Sequence, residues 1–180
     1  MMERLIFSGF GGQGLLTLGQ MVANMGMNCG KNVTWMSSYG AEMRGGTANC
    51  SVIISDDLIG SPIVAKNITT LIAMNNPSLV KFAGKVAFGG NIIINTSMAE
   101  DFETNKNKVF KVDATNIASN LGDIKVQNMV MLGAYIKILN NFTLADVERV
   151  LQDKFLSKKD GENIVKLNME AVKSGMNALI

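Results

Sequence analysis

The sequence predicts an α/β domain with a helical C-terminal third. Three observations predict it: an apolar run that passes through glycines into a helical repeat, strand-like runs spaced up to residue 113, and three helical stripes after that point. Its 180 residues suit one domain, 1–180, since about 70% of the unfolded surface can be buried at that length.

Residues 4–8 carry Leu5, Ile6 and Phe7 and end at Gly9, as a buried first strand would. Leu15, Leu16, Leu18, Val22 and Met25 then recur near helical spacing until Gly26 and Gly30 break the pattern, and a second strand is expected over 32–37. That order is a βαβ unit. Segment 47–55 is β-branched with an apolar end, and 68–74 is a second such run, closing at Asn75-Asn76-Pro77, where Asn76 is placed to cap a proline-led helix that Gly84 ends. Strands are expected at 85–88, 92–95 and 109–113, the first two split by Gly89-Gly90.

Past Asp113 the pattern turns helical. Segments 128–139, 144–155 and 162–179 read as helices, the second opened by a Thr143-x-x-Asp146 capping box, the third striped by Ile164, Leu167, Val172, Met176 and Leu179. No internal repeat is visible, and the two prolines, Pro62 and Pro77, mark no linker.

Composition excludes several chemistries. There is no histidine, which removes a histidine base, a Ser-His or Cys-His nucleophile pair and a histidine-ligated zinc site. The two cysteines, Cys29 and Cys50, cannot complete a four-cysteine iron–sulfur site and read as small buried side chains in a reducing compartment. The net charge of +2 is small, and the basic stretch Lys154, Lys158 and Lys159 lies among Asp153 and Asp160, so no nucleic-acid surface is expected. The start of the chain has no long apolar leader and the run 129–136 is far shorter than the roughly 20 residues a membrane needs, so the expectation is a soluble, cytoplasmic protein. Hydrophobic residues at 47% against 18% charged leave an apolar surplus that a partner chain could cover.

Two constellations carry candidate chemistry. Gly9, Gly11, Gly12, Gln13 and Gly14 make a strand-to-helix loop in G-x-G-x-x-G spacing, an anion seat at a helix N-terminus. A dinucleotide site would also need an acid about 20 residues on, for the ribose, and none lies between Glu3 and Glu42. The loop therefore reads as seating another anion, a partner's backbone, or nothing. The second constellation, 37–52, sets Tyr39, Glu42 and Arg44 between Gly40, Gly45 and Gly46. Arg44 offers a planar fork to a carboxylate or phosphate, and an internal Glu42–Arg44 ion pair bracing the loop uses the same chemistry. Trp35, Met36, Tyr39 and Met43 around it read as core or as an adaptable interface.

The joint occurrence of "SGFGGQG" (8–14), "SSYGAEMRGGTANCSVIIS" (37–55) and "IGSPIV" (59–64) closely resembles the gamma subunit of 2-oxoacid:ferredoxin oxidoreductases, over essentially the whole chain. The Tyr39-Gly40-x-Glu42-x-Arg44-Gly45-Gly46 loop is similar to the 2-oxoglutarate and branched-chain members more than to the pyruvate members. The resemblance implies a three-layer, Rossmann-like domain with a largely parallel or mixed sheet. It implies an enzyme that converts a 2-oxoacid and coenzyme A to acyl-CoA and carbon dioxide and passes electrons to ferredoxin. It also implies alpha and beta partner subunits, with a delta subunit as a further candidate. Thiamine diphosphate and iron–sulfur clusters then belong to those companions and none to this chain alone. No residue here is assigned a catalytic role or a metal. Gly9–Gly14 and 39–46 are the expected interface, next to the place where coenzyme A arrives. The competing readings are a stand-alone dinucleotide-binding protein and a non-catalytic scaffold of the same fold.

Overall fold

The computed structural model describes residues 2–38 and 47–178. Its strands are β1 (Met2–Phe10), β2 (Asn32–Ser38), β3 (Thr47–Ser55), β4 (Ile68–Ala73), β5 (Val86–Asn95) and β6 (Lys108–Val112). Its helices are α1 (Leu15–Asn28), α2 (Asn76–Phe82), α3 (Ala114–Asn120), α4 (Gln127–Leu139), α5 (Leu144–Phe155) and α6 (Gly161–Asn177). The strands form one mixed sheet in the order β2-β3-β1-β4-β5-β6. Strands β1, β4, β5 and β6 run parallel, while β3 runs antiparallel to both β1 and β2.

Alternation along β1 sets the layers. Leu5 and Phe7 point to the large core built with α1, α4, α5 and α6, whereas Ile6 joins a smaller core closed by Leu79 and Phe82 of α2. The parallel strands β4 and β5 are buried on both faces, which is why 71–73 and 92–94 are unbroken apolar runs. The expected three-layer α/β architecture with a mixed sheet and a helical C-terminal third is what the chain forms.

Several local expectations need correction. Strand β2 does not lie beside β1: the hairpin partner β3 inserts between them, Phe10 facing Thr47 and Ser38 facing Asn49 across the ladders. Gly26 does not end α1. It lies inside the helix, where an added Cβ would stand 3.0 Å from Val33 and 3.4 Å from Ile54, so it marks close helix-to-sheet packing. The break comes at Gly30, whose φ of 72° is left-handed. Asn75, not Asn76, caps α2, its side-chain oxygen accepting from the Ser78 N–H at 3.0 Å. The two strands expected around Gly89-Gly90 are one strand, β5, that tolerates a local excursion.

Helix α3 was not visible in the sequence because only Ala114 and Ala118 of it are buried, too little apolar surface to set a period. The seam of α6 also differs from the expected stripe: Val165, Met169 and Val172 are buried, with Gly161 and Gly175, while Leu179 lies outside the described residues. Gly175 sits against the Val130 carbonyl and Gly133 against the Val172 carbonyl, so α4 and α6 cross backbone to backbone and the seam follows the small residues. The capping box of α5 forms as expected: Thr143 accepts from the Asp146 N–H, and the Asp146 carboxylate, held below its ordinary range by the Thr143 N–H and hydroxyl, accepts in return. No helix among the described residues is long and apolar enough to cross a membrane.

Candidate functional site

The parallel strands end on one rim, and the glycine loop occupies it between β1 and α1. Gly12 and Gly14 hold left-handed conformations at φ 89° and 72°, which turn the chain from strand to helix within four residues. Gln13 locks that turn. Its Oε1 accepts from the Phe10 N–H at 2.6 Å, its Nε2 donates to the Met74 carbonyl at 3.4 Å, and its own N–H donates to the Phe10 carbonyl at 3.3 Å. The side chain is buried, so Gln13 braces the loop against the end of β4.

The glycines separate by cause. A Cβ on Gly9 would fall 2.5 Å from Gln13 Oε1 and 2.7 Å from Met74 Cβ, and one on Gly14 would strike the Asn128 amide, so both are demanded by the chain's own packing. Gly11 meets nothing within 4 Å and has no left-handed φ, and Gly12 faces open space as well. Above them lies a cleft of about 270 Å³ lined by Phe10, Gly11, Gly12, Gly14, Leu15, Leu16, Thr17 and Ala48.

The cleft is electrostatically prepared for negative charge. Helix α1 opens at Gly14 with no side-chain cap and no acid in its first turn, so among the described residues nothing answers its leading N–H groups and the positive end of its dipole. Asn128, at the start of α4, donates to the Gly14 carbonyl at 3.1 Å and fixes the helix entry. Sequence reasoning missed Asn128 because its partner lies far away in the chain. Beneath the first turn, the Cys50 thiol donates to the Leu15 carbonyl at 3.4 Å and burial pushes its pKa up to about 12, so it is an inert packing group. Cys29, expected to be buried, is exposed just past α1.

Tyr39, Glu42, Arg44, Gly45 and Gly46 lie outside the described residues. Their flanks do not: Ser38 pairs with Asn49 and Thr47 with Phe10, so 39–46 leaves and re-enters the sheet at the same rim as the glycine loop. The arrangement differs from a dinucleotide site, where the second strand stands next to the first and supplies the ribose acid. Here β3 holds that position and contributes Ala48 to the cleft.

Away from the rim, Glu3 is buried beside Tyr135 and Asn141. The Tyr135 hydroxyl donates to its Oε2 at 3.2 Å, Asn141 Nδ2 reaches both carboxylate oxygens at 3.3 Å, and burial nevertheless holds the carboxyl above its ordinary range.

Known proteins match this geometry and sequence. Residues 4–178 fit the model of the pyruvate ferredoxin/flavodoxin oxidoreductase family. The ketoisovalerate oxidoreductase subunit VorA of Methanothermobacter thermautotrophicus is 35% identical over 96% of this chain and 35% of its own. The 2-oxoglutarate synthase subunit KorC of Methanothermobacter marburgensis is 28% identical, over 92% of each chain. The crystal structure of the keto/oxoacid ferredoxin oxidoreductase gamma subunit from Geobacter sulfurreducens superimposes with a TM-score of 0.81 at 25% identity, covering 97% of this chain and 96% of that one. The chain spans about a third of the length of the ketoisovalerate oxidoreductase subunit it matches. It belongs to the pyruvate ferredoxin/flavodoxin oxidoreductase family.

Proposed function

We propose that this chain is the gamma component of a multi-subunit 2-oxoacid:ferredoxin oxidoreductase, which turns a 2-oxoacid, coenzyme A and oxidised ferredoxin into acyl-CoA, carbon dioxide and reduced ferredoxin. The observation that carries the reading is the rim itself. A backbone cleft of about 270 Å³, its helix start without a cap among the described residues, sits where 39–46 joins the sheet. Such a surface suits one anionic group of a ligand whose remainder rests on another chain. Family membership and the relatives' roles supply the reaction.

In this reading the alpha and beta subunits bring thiamine diphosphate and the iron–sulfur clusters, which supply decarboxylation and electron transfer. This chain's part is to bind and orient. The leading N–H groups of α1 and the open backbone at Gly11 and Gly12 accept a phosphate of coenzyme A or a partner carboxylate, and Arg44 holds the same class of anion. Glu42, Tyr39, Gly45 and Gly46 complete the interface, while Gly9, Gln13 and Gly14 hold the loop in shape. A branched 2-oxoacid is the first substrate to assay, followed by 2-oxoglutarate, in the order of the relatives' identities. The exposed free thiol of Cys29 fits a reducing cytoplasm.

The test is reconstitution. Co-expressed with the alpha and beta chains, this chain is expected to co-purify, and omitting it is expected to abolish coenzyme-A-dependent ferredoxin reduction. Arg44→Ala is assayed for assembly and for acyl-CoA formation separately, and unchanged behaviour in both removes Arg44 from the account. Tight binding of NAD(H), NADP(H) or FAD by the chain alone would replace this reading with the dinucleotide-binding one.

A further inference from the structure

Strand β5 spends two glycines to display a phenylalanine. Between Ile68 and Thr70 the strand β4 advances two residues while β5 advances five, from Val86 to Asn91, so β5 bulges out of register there. Gly89 takes a left-handed φ of 75°, and a Cβ on Gly90 would press within 3.0 Å of the Ala87 and Thr69 carbonyls. The excursion leaves Phe88 87% exposed. A lone exposed aliphatic is ordinary, but a phenylalanine set outward by a bulge that only glycines permit is not explained by packing within this chain.

Three exposed lysines lie close to it along the backbone. The Gly89 N–H donates to the Lys106 carbonyl at 2.8 Å, Asn107 Nδ2 donates to the Ala87 carbonyl at 2.6 Å, and Lys108 stands opposite Asn91, which brings the backbone of Lys106 and Lys108 next to the bulge, while Lys85 precedes Phe88 by three residues. Lys85 lies 5.2 Å from the Phe82 ring, and no ion pair engages Lys85, Lys106 or Lys108 among the described residues. Of the acids in the loop before β6, Asp101 is tied to Lys111, and Glu103 lies close enough to the same ammonium to favour its charge. Regular pairing of β5 runs only from Asn91 to Asn95, on the order of 13 Å, and Phe88 lies on the far side of Asn91 from the rim, so this surface is separate from the glycine cleft.

We infer that Phe88 is an anchor for a companion polypeptide of the same oxidoreductase, one that presents an apolar pocket rimmed by Asp or Glu carboxylates. The inference rests on the gamma-component reading. An apolar knob within a cationic rim matches the anatomy of a protein interface, in which an aromatic anchor fills a pocket and charges at the edge set orientation. A nucleic acid would answer the lysines but offers no pocket for Phe88, and the chain's net charge is only +2.

The experiment uses the complex made from tagged alpha and beta chains co-expressed with this one. Phe88→Ser and the pair Lys106→Glu with Lys108→Glu are compared with wild type for affinity to the tagged companions, at low and at high salt, with circular dichroism confirming that each variant is folded. Both variants are expected to bind at least tenfold more weakly, and the lysine variant's deficit is expected to shrink at high salt. Wild type retained with both variants retained equally well overturns the anchor and leaves the gamma-component reading standing. Loss confined to the lysine variant, with Phe88→Ser unchanged, also overturns it, since the patch is then a polyanion surface without a pocket. Wild type that fails to associate at all sinks the gamma-component reading and this inference with it.

Discussion

Glycines do opposite work at the α4–α6 crossing and in the loop after β1. At Gly133 and Gly175 the hydrogen in place of a side chain lets each helix rest on a carbonyl of the other, so the missing volume is filled by the chain itself. At Gly11 and Gly12 the missing volume is empty and faces out. The first kind is a packing requirement; Gly12 is demanded by its left-handed φ, and Gly11, with neither constraint, becomes intelligible only with something from outside. A loop can hold both kinds within a few residues, as Gly9 and Gly14 against Gly11 show.

Substitutions can break this contrast, the strongest first. Gly133→Ala or Gly175→Ala puts a methyl inside the opposing backbone, which cannot retreat as a side-chain tip can. Either is expected to destabilise the fold by about 3 kcal/mol or more, lowering the thermal midpoint by about 6 °C or more; a midpoint within about 2 °C of wild type would show that the crossing is looser than described. Gly9→Ala is expected to cost about 1–3 kcal/mol, because Met74 Cβ and the Gln13 amide both stand in the way.

Gly11→Ala sharpens the comparison by separating stability from function. Its unfolding free energy is expected to stay within about 0.5 kcal/mol of wild type, while acyl-CoA formation by the reconstituted enzyme falls about tenfold, a difference of about 1.4 kcal/mol in the barrier. Equal loss in both measurements would move Gly11 into the packing class. Smallest is a pH effect at the end of α4. Glu3 keeps its proton more tightly in the folded state than the ordinary value of 4.5, so stability falls as pH rises through the window above 4.5. Glu3→Gln is expected to flatten that fall in urea titrations at stepped pH, and an unaltered slope would exclude Glu3 as its source.

Much of this was legible locally. The capping box at Thr143 and Asp146, the proline-led start of α2 and the apolar runs of β4 and β5 are set by neighbours within a turn or a strand, and they appear where the sequence places them. The errors were non-local. Gly26 reads as a helix breaker until Val33 and Ile54 come within a methyl's reach, and the bond from Gln13 to the Met74 carbonyl, 61 positions away, has no local signal at all. The candidate loop 39–46 was found from residue types, and its position at the rim followed from the pairing of Ser38 and Thr47.

By itself the sequence determined the fold class, the helical final third, the family and the chemistries ruled out by having no histidine, because each follows from residue identity and short-range periodicity. Only the tertiary structure decided that β3 displaces β2 from the side of β1, which glycines are filled and which are open, and that Phe88 stands in water. The reason is physical: a glycine or a phenylalanine carries no record of its surroundings, and what occupies the space beside it is fixed by segments that meet only when the chain folds.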